Sequence, residues 1–326
     1  MKAIIRIISA LIALALIMGI VSCGNKFEPA DINIAVIKGP TGVGIASLMD
    51  KNAEGKALNN YTFTLASSPD EVTPKLITGE IDIAAVPTNL ACALYNKTEG
   101  GVALLAVNTL GVLHILENGE DIKSVADLKG KTIYSSGQGA NPEYILRYIL
   151  TENGIDPDKD VTIEFVGTND ELVGALVSGK ATVAMVPEPA ATTVLGKVST
   201  LRRALDMSEE WEKVAGDESS LMMGCVVVRI DFLAENKDAV KNFLKEYEDS
   251  IKLCQNKPSE AAKLCEEQGI IASAQLAEAA IPGCNVTFVS GSEMKSQIRG
   301  YYEILFEGNP ASIGGALPGD DFYVIG

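Results

Sequence analysis

Two glycine-rich turns carry the residue types best suited to bind something. The first, Lys38-Gly39-Pro40-Thr41-Gly42-Val43-Gly44, follows the alternating run Ile32 to Ile37 and leads into a helical stretch around Gly44 to Lys51. Such a turn leaves backbone N–H groups free at a helix start, where about half a unit of positive charge favours an anion or a polar ligand. A phosphate-binding P-loop would need a Gly-Lys-Ser/Thr triplet, and none follows. A dinucleotide site would want an acid after the next strand, which instead ends Ala66-Ser67-Ser68. The second turn, Ser135-Ser136-Gly137-Gln138-Gly139-Ala140-Asn141, adds two hydroxyls and two amides. In open α/β sheets ligands sit beyond the carboxyl ends of strands. Lys38, Gly39, Thr41, Gly42, Ser67, Thr88 and Asn89 fall there in one half of the chain. Ser135, Ser136, Gly137, Gln138, Gly139, Ala140 and Glu188 fall there in the other. If the halves face each other, these residues converge on one ligand; the alternative is a pair of tight turns that bind nothing.

Catalytic groups are sparse. The one histidine, His114, lies inside Val-Leu-His-Ile-Leu and reads as a core or inter-lobe residue. No Cys/His or Ser/His arrangement supports nucleophilic work. Glu80 and Asp82 become Lys180 and Thr182 in a second copy of their segment, so they read as a solvated turn. Glu188 stands where Thr88 stands in the first copy, and is either a site acid or a surface acid between two prolines. Neither a metal nor a cofactor is expected: five cysteines besides Cys23 show no Cys-x-x-Cys spacing, and one histidine is too few for most zinc sites.

The elements that must position these residues come in a repeat. Leu76 to Ala91 and Leu176 to Ala191 coincide in register at Leu76/Leu176, Gly79/Gly179, Ala84/Ala184, Val86/Val186, Pro87/Pro187 and Ala91/Ala191. Around them the order strand, Gly-rich turn, helix, strand, helix, strand, Pro recurs. The strands are expected at Ile32–Ile37, Tyr61–Ala66, Ile81–Val86 and Val102–Val107, then at Lys131–Tyr134, Val161–Val166 and Ala181–Val186. Helices are expected from Asp70 to Gly79, from Pro142 to Leu150, and from a cap at Asn169 to Gly179. Alternation of this kind predicts an α/β fold with mixed, mostly parallel sheets in two similar lobes. A strand at Gly224–Ile230, helices over Asn236–Gly269 and Ser292–Phe306, and a Gly/Pro-rich closing loop do not repeat.

Residues 1–22 read as a signal peptide: Lys2 and Arg6 precede the apolar run Ile7–Val21, shorter than the ~20 residues a spanning helix needs. Ile20-Val21-Ser22-Cys23 resembles the lipobox of bacterial lipoproteins, which implies lipidation of Cys23 and a tether over 23–30. The alternatives are an ordinary signal peptide or an uncleaved anchor. The formal charge of −16 repels phosphate backbones, so nucleic acid is not expected as a partner. Cys92 and Cys225 lie in apolar runs, while one disulfide among Cys254, Cys265 and Cys284 stays open.

The chain beyond Cys23 resembles the solute-binding proteins of ABC importers, and among them the group with nitrate, sulfonate, taurine and pyrimidine-precursor receptors. The resemblance rests on Asp127-Leu-Lys-Gly-Lys-Thr-Ile133, on Ala175 to Pro189, and on Val226 to Leu244. It implies a type II periplasmic binding protein fold: lobe one over 31–113 plus 225–326, lobe two over 114–224, and hinge crossings near Val112–Glu117 and Leu221–Cys225. It further implies a monomeric extracytoplasmic receptor, lipid-anchored to the bacterial cell membrane, that delivers its solute to a permease driven by a separate ATPase. Few aromatics fall near the turns (Tyr134 and Tyr144), Trp211 lies away from them, and only Lys38 is a nearby cation. A small polar or anionic solute held by N–H and hydroxyl groups is the expectation. Two other classes compete: an enzyme of the pyrimidine-precursor synthase type on the same scaffold, which would rely on more histidine, and a ligand-sensing module, which would need a signalling segment appended after Gly326.

Overall fold

A computed structural model describes residues 28–216 and 219–325; the signal-peptide and Cys23 expectations lie outside them. The chain runs β1 (Asp31–Ile37), α1 (Pro40–Val43), α2 (Ala46–Ala53), β2 (Asn60–Ala66), α3 (Pro69–Thr78), β3 (Ile83–Pro87), α4 (Thr88–Lys97) and β4 (Val102–Thr109). It continues with β5 (Leu113–Asn118), β6 (Thr132–Ser135), α5 (Asn141–Glu152), β7 (Thr162–Phe165), α6 (Asn169–Val177), β8 (Val183–Pro187), α7 (Ala190–Leu195), β9 (Leu201–Asp206) and α8 (Met207–Ala215). It returns through β10 (Gly224–Arg229), α9 (Ile230–Glu235), α10 (Lys237–Asn256), α11 (Pro258–Glu267), α12 (Ala274–Ala280), β11 (Val286–Ser290) and α13 (Gly291–Gly308).

The strands form two sheets, β11-β4-β10-β3-β1-β2 and β7-β6-β8-β5-β9. In each, three strands are parallel (β2-β1-β3 and β7-β6-β8), and the next strand, β10 or β5, is antiparallel. The antiparallel strand of each sheet is the one that has just crossed from the other. β10 pairs its Gly224 with Pro87, and β5 pairs its Leu113 with Pro187. The first crossing is short, Leu110–Val112. The family resemblance implies a crossing near Val112–Glu117, of which Leu113 onward belongs to β5.

Local chemistry explains the repeated unit. Pro69 opens α3 with Asp70 and Glu71 in its first turn, where acids complement the helix dipole. Gly79 stops it in the left-handed conformation, φ 83°, and Gly179 adopts the same backbone after α6, φ 74°. The N-cap of α6 is Thr168 rather than Asn169: its hydroxyl accepts from the Glu171 N–H at 3.1 Å. Asp82 is not solvated as its loop-like sequence predicts. It is buried, accepts from Asn33 N–H at 2.9 Å, and lies 3.7 Å from the Arg229 guanidinium. The closing loop covers the body by seating Phe322 fully buried against Tyr95, Tyr302 and Tyr323. All five cysteines beyond Cys23 are buried free thiols, so the disulfide left open by the sequence is not formed.

One apolar cluster is continuous across the two sheets, running from Leu104 and Val107 through Tyr301 and Trp211 to Ile115 and Ile133. Trp211, on α8, is fully buried between Tyr148 of α5 at 4.7 Å and Tyr301 of α13 at 5.5 Å, ring centroid to ring centroid. The sole tryptophan is therefore packed where elements of both sheets meet.

Candidate functional site

Both glycine turns stand at the carboxyl ends of parallel strands, β1 and β6, as do Ser67 after β2, Thr88 after β3 and Glu188 after β8. The chain crosses between the sheets at these same edges.

In the first turn Gly39 takes φ 103°, open only to glycine without strain, and its carbonyl accepts from Gly42 N–H and Val43 N–H. Thr41 turns its hydroxyl back to the Ile37 carbonyl at 3.1 Å, and its methyl lies 2.5 Å from where a Gly224 side chain would begin. Gly42 is buried, while Lys38 and Ser67 are exposed. Ser67 N–H donates to the Glu71 carboxylate at 3.2 Å.

In the second turn Ser135 and Ser136 are buried. Ser135 donates to the Ser136 carbonyl, and Ser136 donates to Asn169 Oδ1 at 2.6 Å. Gly137 and Gly139 have φ 77° and 72°. The Gly139 N–H is taken by Glu143 Oε2 at 2.8 Å, and Ala140 is half-buried. Gln138 and Gly139 are exposed and border a groove of about 710 Å³ between α5 and the end of α13, lined also by Tyr144, Arg147, Tyr148 and Ile304.

Thr88 and Glu188, at equivalent places in the two copies, are both buried and both occupied by protein. Thr88 N–H donates to Met223 O at 3.1 Å, and Glu188 N–H to Val112 O at 2.9 Å, so each grips a crossing segment. The Thr88 hydroxyl donates to Met222 O and accepts from Asn141 Nδ2 at 3.3 Å. The Glu188 carboxylate accepts from Arg203 and from Thr192 N–H at the start of α7. His114 lies beside it, Nε2 3.8 Å from Glu188 Oε1 and Nδ1 3.6 Å from Asp206 Oδ2. Burial holds His114 below the ordinary imidazole range, against the pull of Asp206 and Glu188.

The residues that the sequence reading passed over are those joining the lobes. Asn141, the last residue of the second turn and the first of α5, donates to both Thr88 Oγ1 and Met223 O, the latter at 3.2 Å. Gly283, in the turn Ile281–Cys284, lies against Glu188: a Cβ there would sit 3.1 Å from Glu188 Cγ. Tyr302 donates its hydroxyl to Thr88 O at 2.9 Å. Asn141 carried one signal, an amide before a helix-opening proline; Gly283 and Tyr302 carried none, because their role depends on which lobes come together. Among the described residues, buried polar atoms left without a hydrogen bond are Asn89 Oδ1, Asn141 Oδ1, both His114 nitrogens, Ser208 Oγ and Tyr301 OH. No cluster of His, Cys, Asp or Glu among the described residues could hold a metal ion.

Two α/β sheets crossed twice by the chain, with their glycine turns and polar side chains at the shared edges, are the build of a two-lobed binding protein. The family model described as the periplasmic substrate-binding protein of phosphonate ABC transporters matches residues 60–277, and the chain belongs to that family. No curated protein matches it in sequence. Solved structures share the fold. An ABC transporter protein from Parabacteroides distasonis superposes with TM-score 0.76 at 24% identity, covering 90% of this chain and 98% of that one. The periplasmic aliphatic sulphonate binding protein SsuA from Escherichia coli gives TM-score 0.71 at 15% identity, covering 87% and 94%. The periplasmic nitrate-binding protein NrtA from Synechocystis PCC 6803 gives 0.57 at 15%, covering 82% and 75%. The chain is the extracytoplasmic solute-binding component of an ABC importer, working with a permease and its ATPase.

Proposed function

We propose that the protein captures a small polar or anionic solute between lobe one, 31–113 plus 225–326, and lobe two, 114–224, and acts as a monomeric receptor rather than an enzyme. The observation that carries this is the junction itself, where the glycine turns and a set of buried polar atoms without partners meet at the crossing edges. Of the nearby cations, Arg203 is paired with Glu188, and Lys38, at the start of the first turn, is exposed. An oxyanion would therefore be held by the backbone N–H groups that the two turns do not spend on themselves, those of Gly39, Thr41, Gly137 and Gln138, helped by the start of α5. Thr88 and Glu188 support this site mainly by fixing the crossings, while Asn89 ties the start of α4 to Ser312. The phosphonate family and the sulphonate- and nitrate-binding relatives favour a compact oxyanion.

Thermal melts of the purified protein with millimolar methylphosphonate, ethanesulfonate, taurine and nitrate test the reading. At least one should raise the melting temperature, since a ligand at about 100 Kd adds about 2.7 kcal/mol of stability. No shift with any oxyanion, together with none by calorimetric titration, would sink it. A lipid on Cys23 would keep the protein on the outer face of the cell membrane. On that reading Cys23→Ser moves it from the membrane fraction into the soluble extracytoplasmic fraction, and an unchanged distribution rejects the anchor.

A further inference from the structure

Asn141 spends only half of its side chain on the protein. Both of its bonds are made by Nδ2, to Thr88 Oγ1 of the first sheet's edge and to Met223 O of the return crossing. The residue itself opens α5, in the other lobe. It is 2% exposed, and its Oδ1 has no partner. An amide carbonyl buried without a donor is costly, about 1–3 kcal/mol. The neighbouring orphans are of the same kind. Asn89 spends its Nδ2 on Ser312 O and leaves Oδ1 free. Tyr301, fully buried, leaves its hydroxyl without a hydrogen bond in the geometry. Asn141 bonds Thr88 and Asn89 follows it in the chain, so the residues bearing the two unpartnered amide carbonyls both adjoin Thr88.

We propose that Asn141 is a positioning and specificity residue: its Nδ2 fastens lobe two to lobe one, and its Oδ1 accepts a hydrogen bond from the solute. The solute class is then an oxyanion that also carries a donor, a hydroxyl or an ammonium, close to its charged group. This rests on the binding reading above and narrows it. The anion is met by N–H groups and the donor by carbonyls, so a solute with both satisfies the junction, and one with the anion alone leaves Oδ1 buried and unpaired. Because one amide makes both contacts, occupancy and closure are joined in a single side chain. That is the differential contact a ligand needs in order to shift an open–closed equilibrium.

The test uses matched probes, ethanesulfonate against 2-hydroxyethanesulfonate and ethylphosphonate against 2-hydroxyethylphosphonate, on the wild type, Asn141→Leu and Asn141→Asp. Calorimetry should give the hydroxylated member of a pair about tenfold tighter binding to the wild type. Asn141→Leu should erase that ratio. Asn141→Asp keeps an acceptor and should keep the ratio, while the ratio within a pair cancels the effect of its new charge on the anion. Small-angle scattering, without solute and at saturation, should show a larger radius of gyration for both variants than for the wild type. An unchanged ratio in Asn141→Leu overturns the acceptor role, and unchanged scattering in both variants overturns the fastening role. Failure of every probe to bind overturns the binding reading and the acceptor role with it, while scattering still decides the fastening.

Discussion

His114 shows how a side chain's chemistry is set by the element beside it. At the start of β5 it faces Glu188, Asp206 and Arg203, and burial is the largest influence on it. A histidine held below its unfolded pKa binds fewer protons when native than when unfolded, so stability falls as pH drops through about 6.5 and levels off below the native pKa. The melting temperature should therefore decrease between pH 7.5 and 5.5, and the decrease should shrink in His114→Asn. An equal decrease in the variant would assign the pH dependence to the carboxylates instead. At this scale the sequence was half readable. That His114 is buried followed from its apolar neighbours, and its partners Glu188, Asp206 and Arg203 all belong to the second sheet's side. That Glu188 is consumed by Arg203 did not follow, because Arg203 sits in a strand, β9, whose Leu-Arg-Arg-Ala-Leu-Asp pattern reads as polar loop. Thr88 and Glu188 stand directly after β3 and β8, the strand-end positions that the spacing predicts. Partners such as Met222 and Met223 for Thr88, Ser312 for Asn89 and Val112 for Glu188 lie on segments far along the chain, which spacing alone does not reveal.

Among elements, the repeat was the clearest signal, and its cause is geometric. Gly79 and Gly179 recur because both helices stop in a left-handed residue, and Pro87 and Pro187 recur where each parallel strand meets the incoming antiparallel one. The residue after each proline then holds a crossing through its N–H. Strands β5 and β9 and helix α4 went unread: β5 follows its neighbour after three residues, and β9 is an edge strand bearing two arginines. The turn Ile281–Cys284 gives a prediction about closure. Gly283 has no left-handed backbone, so an alanine fits its conformation, but the new Cβ would press on Glu188, which Arg203 and α7 hold in place. Gly283→Ala should cost about 1–2 kcal/mol of closure, roughly tenfold in solute affinity, with little change in the melting temperature of the protein without solute. An affinity equal to the wild type's would show that the two lobes do not meet there when solute is bound.

For the whole molecule, the fold class, the two-lobed order and the family were all accessible from the chain, because each lobe states the same element sequence in its own residues. The residues by themselves do not say which lobe owns which strand; that division is implied only by the family resemblance. Each sheet is completed by a strand from the far side of a crossing, and no local pattern marks that exchange. The exchange also fixes an order of construction. The second sheet is contiguous, Leu113 to Asp206, and has all its strands as soon as that stretch exists. The first has β10 at its centre, between β3 and β4, and β10 begins only at Gly224. Until the chain has been made past that point, β1–β3 and β4 are two separate pieces with unpaired edges facing the gap, the kind of surface that invites aggregation. As the chain emerges, its most vulnerable state therefore lies in the lobe that begins first and finishes last.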